Sequence, residues 1–197
     1  LKNVIDFVLN LQCEEIIINT HYKHEMINDF IKKNYKQKNI ILSYEKELLD
    51  TGGGVRNALS LFKNEIVLII NSDIFWTKEN IKDVKELINN FELQQQCKMI
   101  LVPKEYAHGI NNNKGDFSVL NGLVKRYKQD NNIFYYSGVQ IISVELLRRY
   151  HQKKFSFNLV WNDQIKNRLI FADIMNSHWY HVGDIYGLNA AENFISC

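Results

Sequence analysis

Proline is almost absent from this chain, Pro103 being the only one in 197 residues. That scarcity excludes a proline-rich linker, and with no repeat or low-complexity tract it leaves no internal domain boundary in view. Cysteine is nearly as scarce. Cys13, Cys97 and Cys197 stand far apart, with neither the paired spacing of a disulfide framework nor a histidine at a zinc-finger interval, so a reduced, cytoplasmic setting is expected. No apolar run reaches the roughly 20 residues that cross a bilayer, and the first residues lack the zones of a secretory signal, so a soluble chain with no membrane partner is expected. A surplus of one charge is missing too. The formal net charge is +2 and the lysines are dispersed, which leaves no electrostatic footprint for nucleic acid and points to a small-molecule partner.

Apolar residues are plentiful, at 46% of the chain, enough to build one domain with a full core over residues 1–197. Ile16-Ile17-Ile18, Ile40-Ile41-Leu42, Ile66 to Ile70 and Met99 to Val102 are runs of strand length rich in β-branched residues, the pattern of strands buried on both faces. Helical periods separate them: Val4, Ile5, Val8 and Leu9; then Met26, Ile27, Phe30 and Ile31; then Ile81, Val84, Leu87, Ile88 and Phe91. This alternation predicts an α/β, Rossmann-like, mixed but mostly parallel sheet flanked by helices. After Pro103 a polar loop through Asn111-Asn112-Asn113 leads to apolar runs on either side of Asn121-Gly122, a hairpin signal that predicts a small antiparallel insertion. Ile133 to Ile142 reads as a further strand, and Ser143 to Tyr150, Phe157 to Asn167 and Ile185 to Phe194 as helices.

Three short stretches could carry chemistry. In Asp50-Thr51-Gly52-Gly53-Gly54-Val55-Arg56 three glycines join an acidic turn to a helix, and without Cβ atoms they would let a ligand come close to the backbone. A plain flexible turn explains the triplet about equally well. In Asn71-Ser72-Asp73 a carboxylate appears where a buried strand runs out at the edge at which ligands collect, so Asp73 is expected to hold magnesium, which needs few protein carboxylates, or else simply to cap the next turn. In Trp179 to Asp184, His181 or Asp184 could add a second contact near that ion. Asp184, just ahead of a helix starting at Ile185, is also the natural N-cap.

Taken in order, these motifs resemble the bacterial sugar-1-phosphate nucleotidyltransferases, as do Ile18 to Tyr22, Lys114-Gly115-Asp116-Phe117, Tyr136 to Ile142 and Phe155 to Trp161. The resemblance runs over nearly the whole chain, and is especially to the N-acetylmuramate 1-phosphate uridylyltransferases and the similar mannose-1-phosphate guanylyltransferase-like proteins. It implies a GT-A-like fold and transfer of a nucleoside monophosphate from a nucleoside triphosphate to a sugar 1-phosphate, releasing pyrophosphate. UTP and N-acetylmuramate 1-phosphate are the expected substrates, in peptidoglycan recycling. It further implies that Asn19, Thr51 and the Gly52-Gly53-Gly54 loop bind nucleotide, that Asn71, Gly115, Asp116, Ser137 and Gly138 line the sugar-phosphate pocket, and that Asp73 with His181 holds Mg2+.

Two departures from the family pattern bear on those expectations. The family's opening strand, and a glycine-rich loop carrying an arginine, are expected ahead of Leu1. The domain is therefore expected to be N-terminally incomplete, inactive or weakly active alone, and open to a complementing N-terminal segment or an oligomer. His181 stands where most members have aspartate, and imidazole suits softer metals, so it is expected to reach the ion through water or to touch phosphate, with Asp73 the principal ligand. A degenerate nucleotide- or sugar-phosphate-binding subunit and a metal-dependent glycosyltransferase are the competing readings.

Overall fold

The computed structural model describes residues 1–110, 114–120, 123–128 and 132–195. Its first half alternates helix and strand: α1 (Lys2–Asn10), β1 (Ile16–Thr20), α2 (His24–Asn34), β2 (Ile40–Tyr44), α3 (Asp50–Asn57), β3 (Ile66–Ile70), β4 (Ile74–Phe75) and α4 (Asn80–Asn89). The second half runs β5 (Cys97–Pro103), β6 (Ala107–His108), β7 (Phe117–Leu120), β8 (Leu123–Arg126), β9 (Phe134–Ser143), α5 (Val144–Arg148), α6 (Phe157–Lys166), β10 (Phe171–Ile174), β11 (Trp179–His181) and α7 (Ile185–Ile195). The expected α/β architecture is present. The Asn111-Asn112-Asn113 loop and the Asn121-Gly122 turn lie outside the described residues, while the strands flanking that turn pair antiparallel from Leu120↔Leu123 to Phe117↔Arg126.

β5 organises the core because it has a partner on each edge, β10 parallel and β9 antiparallel, and all seven of its residues are buried. Its side chains alternate. Met99 and Leu101 enter a core with Phe117, Ile142, Phe157, Val160 and Trp161, whereas Ile100 and Val102 enter one with Val84, Leu87, Val139, Met175 and Trp179. The sheet is mixed because β9 runs against β3 and β5, while β3, β5 and β10 all point the same way. β1 and β2 form a separate parallel pair over a smaller core of Ile5, Ile31 and Tyr35.

One local expectation is corrected. Gly52, Gly53 and Gly54 are not a loop but the first turns of α3, and all three are buried. Two of them are spoken for by the chain itself. A Cβ on Gly52 would stand 2.4 Å from the Phe155 ring, and one on Gly53 would stand 2.6 Å from the Lys153 carbonyl oxygen. The Gly53 amide donates to the Phe155 carbonyl at 2.9 Å, and the Phe155 amide to the Leu49 carbonyl at 3.1 Å. Thr51 Oγ1 accepts from the Phe157 amide at 3.1 Å, satisfying one of the free N–H groups that open α6. The glycines thus let the strap before α6 lie against a helix, which offsets their poor helical propensity.

Because backbone rather than a flexible side-chain end blocks position 53, Gly53→Ala should force the strap away and destabilise the fold by about 1–3 kcal/mol. Urea unfolding measures this. A wild-type midpoint in Gly53→Ala would show that the packing described here does not hold the strap.

Candidate active site

β9 creates the site by failing to stay regular. Its pairing with β5 passes from Met99↔Gln140 to Leu101↔Tyr136, so β9 carries extra residues there and bulges at Ser137, Gly138 and Val139. On its other edge β3 covers positions 139 to 143 and β7 meets it only at Phe134. Between them the sheet forks. The bulge leaves polar groups that need partners, and it finds them locally: Ser137 Oγ accepts from the Val139 amide at 3.1 Å, and the Ser137 carbonyl accepts from Trp179 Nε1 at 2.8 Å. Gly138 sits at φ +84, where other residues are strained, and a Cβ there would come 3.0 Å from that of Asn71.

The fork opens a cavity of about 280 Å³ lined by Asn71, Asp73, Ile74, Ile110, Lys114, Asp116, Tyr135, Tyr136, Gly138, Trp179 and His181. Asn71 is anchored through its amide to the Gly138 carbonyl at 2.8 Å, and Asp116 Oδ2 accepts from the Tyr136 amide at 2.9 Å. Five of the residues expected from sequence therefore meet here: Asn71, Asp73, Asp116, Gly138 and His181. Others do not line it. Ser137 is fully buried and serves the bulge, and Gly115 packs with its Cβ position 2.8 Å from the Ile133 side chain. Thr51, Gly52 and Gly53 face the strap before α6, as described above. Asn19 and Gly54 form a separate corner, in which a Cβ on Gly54 would stand 2.7 Å from Asn19 Nδ2 and 2.5 Å from Glu45 Oε1. Lys114, Tyr135 and Ile110 were not singled out from sequence. Lys114 could have been, since it opens the Lys114-Gly115-Asp116-Phe117 motif.

Asp73 and His181 come from opposite halves of the chain and are fixed by backbone. β11 pairs antiparallel with β4, setting His181 opposite Ile74, and the Val182 amide donates to the Asp73 carbonyl at 2.8 Å. His181 Nε2 lies 3.6 Å from Asp73 Oδ2. Three glycines make room for this histidine: Cβ atoms at Gly109 and Gly187 would fall 2.2 and 2.0 Å from its carbonyl oxygen, and one at Gly183 would fall 2.4 Å from its ring Cε1. Asp184 is the cap anticipated from sequence, its Oδ1 accepting from the Gly187 amide at 2.8 Å at the start of α7.

Among the described residues no three His, Cys, Asp or Glu side chains gather as a metal cage. The donors present nonetheless fit magnesium, which takes one or two carboxylates and completes its shell with water and substrate phosphate. Asp73 is the fitting ligand, and the His181 nitrogen beside it is the poorer one for that ion.

A family model described as Nucleotidyl transferase matches residues 1–109. The chain is 24% identical over 200 residues to an N-acetylmuramate alpha-1-phosphate uridylyltransferase from Caulobacter vibrioides, covering 98% of this chain and 82% of that one. It is 24% identical over 184 residues to a D-glycero-alpha-D-manno-heptose 1-phosphate guanylyltransferase from Campylobacter jejuni, covering 93% of this chain and 80% of that one. Its fold is similar to that of HddC from Yersinia pseudotuberculosis, with a TM-score of 0.74 and 19% identity over 96% of this chain and 83% of that one.

The His181 imidazole beside it holds the Asp73 carboxyl below its usual 3.8, and the same contact raises His181 above 6.5. Asp73 therefore contributes stability above 3.8 and loses it as pH falls through its lowered value, while His181 contributes below 6.5 and loses it as pH rises through its raised value. The pair is complete between those two values. With side chains 47% and 32% exposed, its worth stays below about 1 kcal/mol. Following the His181 imidazole by NMR should give a titration midpoint above that of free histidine, falling in Asp73→Asn. An unchanged midpoint in the variant would contradict the pairing.

Proposed function

For a chain that belongs to the nucleotidyl transferase family, we propose the transfer of uridine monophosphate from UTP to N-acetylmuramate 1-phosphate, a cytoplasmic step in reusing cell-wall sugar. The observation that carries this reading is Asp73 standing at the end of β3 over a cavity that also presents Asn71, Lys114 and Asp116. The uridylyl and muramate choices rest on likeness to the Caulobacter enzyme, whose alignment takes in 98% of this chain.

In this reading an oxygen of the sugar phosphate attacks the α-phosphorus of the triphosphate in line. A new P–O bond forms as the bond to the bridging oxygen breaks, and pyrophosphate leaves with the electron pair. No covalent enzyme intermediate is needed. Two anions have to be brought together, so positioning and fixed cations supply most of the acceleration. Lys114 places an ammonium at the cavity for the sugar phosphate, while Asn71 and Asp116 offer hydrogen-bonding groups to its hydroxyls. Asp73 would hold the magnesium ion, which when bound neutralises charge on the phosphates. His181 orients the Asp73 carboxylate. Of the residues expected to meet the nucleotide, Asn19 and Gly54 are the two we keep, because Gly52 and Gly53 are occupied by the Phe155 strap.

Pyrophosphate release and nucleotide binding, measured with UTP or GTP against N-acetylmuramate 1-phosphate or a heptose 1-phosphate, test the proposal. UTP with the muramate phosphate should be preferred by at least tenfold in kcat/KM, and Asp73→Asn should lower kcat by about 10²- to 10³-fold. Lys114→Met should chiefly raise KM for the sugar phosphate. Preference for GTP with the heptose phosphate would overturn the substrate choice, and UTP binding without turnover would favour a binding subunit.

A further inference from the structure

We propose that His108 and His178 form a binding site for one divalent transition-metal ion, copper(II) or nickel(II) in kind, separate from the magnesium position at Asp73. His108 Nε2 and His178 Nδ1 stand 2.9 Å apart, although the two residues are 70 apart in sequence. Their rings are tilted by 48° with centroids 5.0 Å apart, so nitrogen meets nitrogen and the rings do not stack. Imidazole nitrogen suits copper, nickel and zinc. At metal–nitrogen distances of roughly 2.0–2.1 Å, two nitrogens that meet an ion at a right angle are about 2.9 Å apart, and at a tetrahedral angle about 3.3 Å. The observed spacing matches the right angle of square-planar and tetragonal sites, which copper(II) and nickel(II) adopt, and is too short for tetrahedral zinc.

Both histidines are held in place by the fold itself. His108 ends β6, which pairs parallel with β11 so that His108 lies opposite Tyr180, and its ring stacks on the Tyr180 ring at 4.7 Å. His178 closes the turn ahead of β11, and α4 grips that turn. Asn80 Nδ2 donates to the His178 carbonyl at 2.9 Å and to Ser177 Oγ at 2.7 Å, while Asp83 accepts from the Asn176 amide at 3.0 Å and from Ser177 Oγ. The Tyr106 ring stands edge-on to His178 at 5.4 Å. Backbone freedom at both positions is thus already removed, and a pre-organised pair binds more tightly than a loose one.

The surroundings suit an ion that keeps part of its water. His178 is exposed, so solvent reaches the pair and fills the remaining coordination positions. His108 is partly buried, and burial together with the neighbouring His178 holds it below its usual 6.5, which leaves it neutral and able to ligate at neutral pH. In the metal-free chain one ring donates N–H to the other. When an ion arrives, the donor ring moves that proton to its own second nitrogen, a change of tautomer, and both rings then offer lone pairs. Side chains alternate along β11, so Tyr180, which stacks on His108, points away from Trp179 and His181 on the cavity wall. The ion therefore sits behind the strand that carries His181 and stitches β6 to the turn leading into it.

The test titrates the full chain with copper(II) chloride, reads the coordinated nitrogens by electron paramagnetic resonance, and compares the affinity with that for zinc chloride. The wild-type chain should bind one copper ion through two imidazole nitrogens, more tightly than zinc, with a rise in Tm. His108→Gln and His178→Gln should each leave one nitrogen and weaken binding by about tenfold or more. Their Tm without metal should match that of the wild type, since neither ring lies in the core. In His181→Gln the two-nitrogen signal should persist. Fewer than two nitrogens in the wild type, undiminished affinity in either His108→Gln or His178→Gln, loss of the signal in His181→Gln, or zinc bound as tightly as copper would each overturn the proposal. No turnover is measured, so the result is independent of the substrate assignment.

Discussion

One backbone hydrogen bond, from the Val182 amide to the Asp73 carbonyl, joins the two halves of the chain at the point where the chemistry is proposed. β3 delivers Asp73 and β11 delivers His181, and only the short β4–β11 ladder brings them into contact. Everything on the far wall of the cavity depends on the same alignment, because Trp179, one residue before Tyr180 in that ladder, reaches across to the Ser137 carbonyl and so steadies the bulge of β9. Side-chain electrostatics add little to this frame. A half-exposed carboxylate–imidazole pair is weak, so the backbone positions the groups and their charges tune them.

The bulge explains why a chain with an ordinary sheet core has a cavity at all. A regular β9 would let β3 and β7 continue along one straight edge, closing the fork that Tyr135, Tyr136 and Gly138 now line. Its cost is contained, since the leftover Val139 amide and Ser137 carbonyl both have partners.

Much of the fold was legible because apolar runs such as Ile66–Ile70 and periods such as Val84–Leu87 carry local information. What could not be read is long-range. The glycine triplet looked like a loop, since glycine is among the worst helix formers, and nothing near it in sequence announces that Phe155, a hundred residues on, needs its surface. Asp73 was legible from its place at a strand end, whereas its contact with His181 had to wait for the β4–β11 register. Ser137 was assigned to the pocket by its motif, yet the bulge turns it inward and presents its neighbour Gly138 instead. β3 was expected to be buried on both faces, and both faces are indeed covered by helices. Its pairing is a property that hydropathy does not carry: among the described residues β3 pairs only with β9, and its five residues are half-buried.

The crowding around His181 also ties two positions together over evolutionary time. Its imidazole folds back over Gly183, where even a methyl group would overlap the ring. A lineage holding histidine at 181 can take a side chain at 183 only by shifting the imidazole from its place beside Asp73, while one with a compact residue at 181 is freed from that restriction. Sequence drift at these two sites should therefore be correlated, with the bulk allowed at one set by the bulk present at the other.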